Sequence, residues 1–134
     1  MAIRRDKYDA AFSLLIRERD GYTCQACEKY GGLIDCAHIF GRRHASTRYH
    51  PDNAVALCRG CHMRFTEEPH DWADWCRVRL GHDRYDALRA VSRSTKRWRP
   101  KDKAELLKWL REQHRAIQEG REIAEWPFYE KRFR

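Results

Sequence analysis

Two Cys-x-x-Cys pairs, Cys24-Gln-Ala-Cys27 and Cys58-Arg-Gly-Cys61, constrain this chain more than any other feature. Thiolates on two such turns converge on one tetrahedral ion, and four of them close the shell of a structural Zn²⁺ without other donors. The thirty residues between the pairs exceed the gap of a compact zinc ribbon and suit an inserted hairpin and loop. So small a unit buries little apolar area, and metal binding is expected to supply much of its folding free energy. Six cysteines would permit three disulfides, but the paired spacing and the absence of an apolar secretion signal point to metal in a reducing, intracellular compartment. Cys36 and Cys76, the two left over, are expected to be small buried apolar residues.

The segment between the pairs reads as two short strands. Leu33 to Phe40 is dense in apolar residues after the Gly31-Gly32 turn, and Ala54 to Leu57 follows the turn signal Pro51-Asp52-Asn53. The two are expected to pair antiparallel. A helix then starts near Gly60, carries Cys61, His62 and Phe65, and stops at Pro69. Outside this core, Tyr8, Ala11, Phe12, Leu15 and Ile16 recur at helical spacing within residues 4 to 19. That helix is read mainly as packing, with a basic face able to touch phosphates. Trp72, Trp75, Cys76 and Leu80 mark another helix ending at Gly81, and Tyr85, Leu88 and Val91 a short one. A longer helix carries Leu106, Trp109, Leu110 and Ile117 and stops at Gly120, with Asp102 and Glu105 at capping-box spacing near its start. The closing segment from Trp126 is either a docked tail or a partner contact.

The order Cys-Ala-His38-Ile-Phe-Gly-Arg-Arg-His, Thr-Arg-Tyr-His-Pro-Asp-Asn53 and Leu-Cys-Arg-Gly-Cys-His62 resembles the HNH endonucleases, most narrowly phage-encoded proteins of the NinG and lambda Rap type. The resemblance covers residues 22 to 68, about a third of the chain. It implies a ββα-metal motif in which His38 is the general base, Asn53 orients it through the loop, and His62 binds a catalytic Mg²⁺ or Mn²⁺. Many members carry Asp or His just before the catalytic histidine as a second cation ligand, where this chain has Ala37. Asp35, His44, His50 and Asp52 are the candidates for that place, and Asp35 offers the hard oxygen that Mg²⁺ prefers.

The expected fold is therefore α+β, mostly helical, around a small zinc-stapled ββα-metal hairpin and helix. It is expected to form a single domain over 1–134, divided into an N-terminal helix (1–21), the zinc core (22–68), a helical extension with a basic segment (69–120) and a C-terminal tail (121–134). Twenty-eight Lys and Arg against twenty Asp and Glu give a formal charge of +8, which favours a polyanionic partner. Arg42, Arg43 and Arg48 in the central loop could clamp phosphate. Lys96, Arg97 and Arg99, within a basic run from Arg93 to Lys103, are the second DNA-binding candidates. No apolar run reaches membrane-spanning length. The leading reading is a metal-dependent DNA endonuclease, in the host cytoplasm if phage-encoded. The alternatives are a non-catalytic zinc-containing DNA-binding module, or an interaction protein of a phage recombination or packaging assembly that uses its tail.

Overall fold

The computed structural model describes residues 3–95 and 97–128. Its elements run α1 (Lys7–Arg19), β1 (Ile34–His38), a one-turn 3-10 helix (Pro51–Asn53), β2 (Ala54–Cys58), α2 (Arg59–Glu67), α3 (Pro69–Leu80), α4 (His82–Ser92) and α5 (Pro100–Gln118). The fold is mostly helical with one small antiparallel hairpin beside the cysteines, as expected. Among the described residues, no helix is long and apolar enough to cross a membrane.

Helix α1 begins in a reciprocal capping box that the apolar periodicity did not reveal. Asp6 accepts the Asp9 N–H and Asp9 accepts the Asp6 N–H, both at 2.8 Å. Each carboxylate satisfies a donor that the first turn leaves without an intrahelical partner. The expected box at Asp102 and Glu105 does not form. Pro100 takes the first helical position, where its missing N–H costs nothing, and this puts Asp102 inside the first turn rather than at the cap. Asp102 is buried there and accepts a 3.3 Å hydrogen bond from Arg99 Nε.

Strands β1 and β2 pair from Ile34 opposite Cys58 to His38 opposite Ala54. The ladder is extended by Ile39 N–H donating to the Asn53 carbonyl at 2.8 Å. This register sets His38 at one end of the hairpin and Cys58 at the other. The turn before β1 uses Gly31 and Gly32 at φ +72° and +69°, a left-handed pair that other residues adopt only with strain.

Two apolar clusters hold the chain together. One packs Phe12, Leu15 and Ile16 of α1 against Leu106 and Leu110 of α5, with Tyr49, Trp126 and Phe128 closing it. The other joins Ile34, Ala37, Val55 and Leu57 of the hairpin to Phe65 of α2, with Trp72 and Trp75 of α3 against them. The aromatic stripe of α3 is thus core. Trp126 and Phe128 are almost fully buried, so the tail is docked as far as residue 128, and residues 129–134 lie outside the described part. Cys76 is fully buried, and burial pushes its thiol up to about 12.

Candidate functional site

The four paired cysteines come together. Their sulfur atoms lie within 4.8 Å of one another, and Cys27 Sγ is 3.7 Å from Cys58 Sγ. Tetrahedral Zn²⁺ with bonds of about 2.3 Å separates its sulfurs by about 3.8 Å, so this donor set fits a structural zinc. Each pair is shaped by its own backbone: Cys27 N–H points at Cys24 Sγ at 3.5 Å and Cys61 N–H at Cys58 Sγ at 3.4 Å. Cys58 is also the N-cap of α2, its sulfur taking the Cys61 N–H that the first turn leaves without an intrahelical partner. The cluster therefore joins the end of β2, the start of α2 and the first knuckle at one point. Among the described residues, no other group of three or more Cys, His, Asp or Glu side chains converges in this way.

At the opposite end of the hairpin, His38 Nε2 lies 3.0 Å from the Arg48 carbonyl oxygen. A carbonyl only accepts, so Nε2 carries the proton and Nδ1 keeps its lone pair. Phe12 of α1 supports the ring, with centroids 5.5 Å apart at 39°. Burial holds the imidazole below its ordinary pKa of 6.5, and the Arg42 and Arg48 charges add to this against the Arg48 carbonyl bond and Asp9. His38 is accordingly neutral at pH 7.

Asn53 is fully buried and spends its side chain on the loop between the strands. Its Oδ1 accepts Phe40 N–H at 2.8 Å, while Nδ2 donates to the Phe40 carbonyl at 2.9 Å and the Thr47 carbonyl at 3.0 Å. The amide therefore grips the chain two residues after His38 and one before Arg48, rather than His38 itself.

His62, in the first turn of α2, reaches back to β1. Its Nδ1 lies 2.9 Å from Asp35 Oδ2, and Arg59 donates to both oxygens of the same carboxylate, at 3.0 and 3.3 Å. Burial pushes the Asp35 carboxyl up, but the hydrogen bonds from Arg59 and His62 outweigh it and hold it below its ordinary value. With Nδ1 turned to a carboxylate, His62 Nε2 is left as the nitrogen able to bind a cation. The other candidate ligands are engaged elsewhere. His44 Nδ1 lies 3.1 Å from the Ser92 carbonyl, His50 Nδ1 accepts Asp52 N–H at 3.1 Å, and the Asp52 carboxylate pairs with Arg84.

No known protein family, curated protein or solved structure matches the chain.

Asp35, His38 and His62 line one cleft of about 620 Å³, and Arg5, Arg17, Arg42 and Arg59 line it with them. Arg17 comes from α1 and Arg5 from the segment just before its Asp6 cap, within the stretch whose basic face sequence periodicity read chiefly as a packing element's outer surface. Their convergence with the loop arginines has no local signal, because α1 and β1 meet only in the folded chain. Cys36 lines the cleft too, but burial pushes its thiol up to about 12, which disarms it as a nucleophile.

The arginines singled out in sequence fall into different settings. Arg42 faces the cleft and lies 3.8 Å from Asp9. Arg43 is exposed and donates to His44 Nε2 at 3.3 Å. Arg48 is committed to the protein: Nε and Nη2 both donate to the buried Asp9 carboxylate, and Nη2 also to the Arg4 carbonyl at 3.2 Å. Arg97 and Arg99 are exposed, while Trp98 between them turns inward and donates from Nε1 to the Ala45 carbonyl at 2.8 Å. Lys96 lies outside the described residues.

Proposed function

We propose that this protein is a metal-dependent DNA endonuclease of the HNH type, resembling the phage NinG and Rap proteins, with residues 22–68 as its catalytic unit. The observation that carries the reading is His38, fixed through Nε2 on the Arg48 carbonyl and lining one cleft with the Asp35–His62 pair and four arginines. His38 Nδ1 takes the proton from a water whose oxygen attacks phosphorus in line. Arg5, Arg17 and Arg42 hold the flanking phosphates. Asn53 keeps the 40–48 loop in place around the imidazole. His62 Nε2 is the donor offered to a Mg²⁺ or Mn²⁺, which would keep most of its shell as water and so needs few protein ligands, while Asp35 orients the ring through Nδ1. Such a cation, when bound, neutralises charge on the phosphoryl and departing oxygens. The ends expected are a 5′-phosphate and a 3′-hydroxyl.

A second reading, a zinc-containing DNA-binding module without catalysis, is favoured by the cysteine cluster being the one convergent metal-ligand group among the described residues. Supercoiled plasmid with Mg²⁺ or Mn²⁺ separates the two. Nicking by the wild type that falls on the order of 10²–10⁴-fold in His38→Ala, with zinc content and DNA binding unchanged, supports the nuclease. His62→Ala should lose activity that excess Mn²⁺ partly restores. Binding without nicking under any divalent metal leaves the module. The nicking rate should fall as pH drops through the depressed His38 pKa, below the usual 6.5, because only the neutral imidazole accepts a proton.

A further inference from the structure

We propose that Asp9 of α1 is a positioning residue for His38, acting through the side chain and carbonyl of Arg48. The catalytic consequence rests on the reading of His38 as the general base, whereas the effect on the imidazole tautomer does not.

The lone pair that faces the substrate is decided by which ring nitrogen carries the proton, and the hydrogen bond made by the other nitrogen decides that. Here the decision falls to the Arg48 carbonyl, 3.0 Å from Nε2. Arg48 lies outside any helix or strand, in the stretch between β1 and the Pro51–Asn53 turn, so its carbonyl is only as fixed as its tethers. One tether is Asn53, which holds the neighbouring Thr47 carbonyl at 3.0 Å. A second, reached through the side chain, is Asp9, which receives Arg48 Nε at 2.9 Å and Nη2 beside it, while Nη2 also donates to the Arg4 carbonyl at 3.2 Å. Two-pronged guanidinium–carboxylate contact is the strongest and most directional ion pair a side chain makes.

Asp9 is itself immobilised. It is 4% exposed, belongs to the third helical position of α1, and is locked to Asp6 by the capping box at 2.8 Å. Burial pushes its carboxyl up, yet the hydrogen bonds from Arg48 and Asp6 prevail and keep it ionised. One helical turn further along the same face, Phe12 lies against the His38 ring. Helix α1 therefore supports the imidazole twice, by direct ring contact and by the Asp9–Arg48 pair that sets the carbonyl. Without the carboxylate, Arg48 is drawn towards solvent or the acidic Asp6, its carbonyl swings, and the ring is free to exchange tautomers.

The test is long-range ¹H–¹⁵N correlation on the imidazole of His38 in zinc-loaded protein, without DNA or added divalent metal, for wild type, Asp9→Asn and Arg48→Lys. We expect a pure Nε2–H tautomer in wild type, exchange-averaged ring nitrogens in Asp9→Asn, and an intermediate pattern in Arg48→Lys, whose single ammonium makes a less directional contact. In plasmid cleavage Asp9→Asn should lower kcat about tenfold and leave KM unchanged, the usual scale for an outer-shell partner. A folded Asp9→Asn with wild-type ring nitrogens would overturn the proposal and reduce Asp9 to a helix cap. Should Asp9→Asn not fold, wild-type ring nitrogens in Arg48→Lys overturn it equally. If the tautomer shifts as expected but wild type does not cleave, the positioning role stands and the nuclease reading fails.

Discussion

Asn53 and Phe40 form a closed pair of hydrogen bonds, in which the side-chain amide of one receives the N–H and donates to the carbonyl of the other, at 2.8 and 2.9 Å. Apart from proline's case, any residue offers this pair of backbone groups, and a primary amide answers both at once from its adjacent oxygen and NH₂. Because Asn53 immediately precedes the return strand β2, the pair closes the loop that carries Arg48 back onto the end of β1.

Asn53→Ala should therefore destabilise strongly. The change leaves Phe40 N–H, the Phe40 carbonyl and the Thr47 carbonyl without their side-chain partner in a buried site, at a cost of about 3 kcal/mol or more. Chemical denaturation of zinc-loaded protein measures it. Asn53→Asp, which turns a carboxylate oxygen onto the Phe40 and Thr47 carbonyls in the same buried site, should destabilise at least as much as Ala.

Removal of zinc should unfold the hairpin unit. Cys58 ends β2, caps α2 and supplies one sulfur of the cluster, so Cys58→Ser is expected to lose the metal and the ordered packing of Phe65 against the hairpin. Elemental analysis should give about one zinc per wild-type chain. Full folding of Cys58→Ser with undiminished zinc would remove the cluster from its structural role.

Acid should destabilise the protein before most carboxylates titrate. His50 is buried against Trp126, and burial lowers its pKa to about 4. Between 6.5 and 4 the unfolded chain therefore holds a proton that the folded chain does not, so stability is complete above about 6.5 and is lost as pH falls towards 4. The contribution is on the order of 3 kcal/mol, and the depressed His38 adds with the same sign. His50→Asn, which keeps an acceptor for Asp52 N–H, should flatten stability across this window. An unchanged slope would assign the acid sensitivity elsewhere.

DNA affinity should fall steeply with salt, since each phosphate neutralised contributes about 0.9 to the log–log slope. Arg5→Ser with Arg42→Ser should reduce the slope by about 2 and also slow cleavage, because both residues line the cleft. Arg97→Ser with Arg99→Ser should flatten the slope and leave cleavage at saturating DNA unchanged. Equal effects of the two pairs on cleavage would place the 93–103 segment at the reacting phosphate.

The features legible without a structure are those governed by local physics. Two Cys-x-x-Cys turns make chelating knuckles wherever they occur, short apolar runs announce strands and helical apolar periods helices, and Pro51-Asp52-Asn53 announces a turn. From these came the antiparallel hairpin, the helix that follows it, and the converging cysteines. Local reading also failed locally once, at Asp102, because Pro100 competes for the first helical position and wins.

What tertiary structure alone decided is the company each polar side chain keeps. Asp35 and His62 are 27 residues apart and Asp9 and Arg48 are 39 apart, and nothing in either neighbourhood marks the pairing. A charged side chain pays for burial only by meeting an opposite charge or a donor, and which one it meets depends on how α1 and α2 lie on the hairpin. The same packing turned Arg48 onto Asp9 and brought Arg5 and Arg17 into the cleft. Sequence by itself determined the elements and the metal-binding knuckles, because spacing along the chain suffices for both. The membership of the cleft was left to the fold, because it is a property of surfaces that touch only after the chain has collapsed.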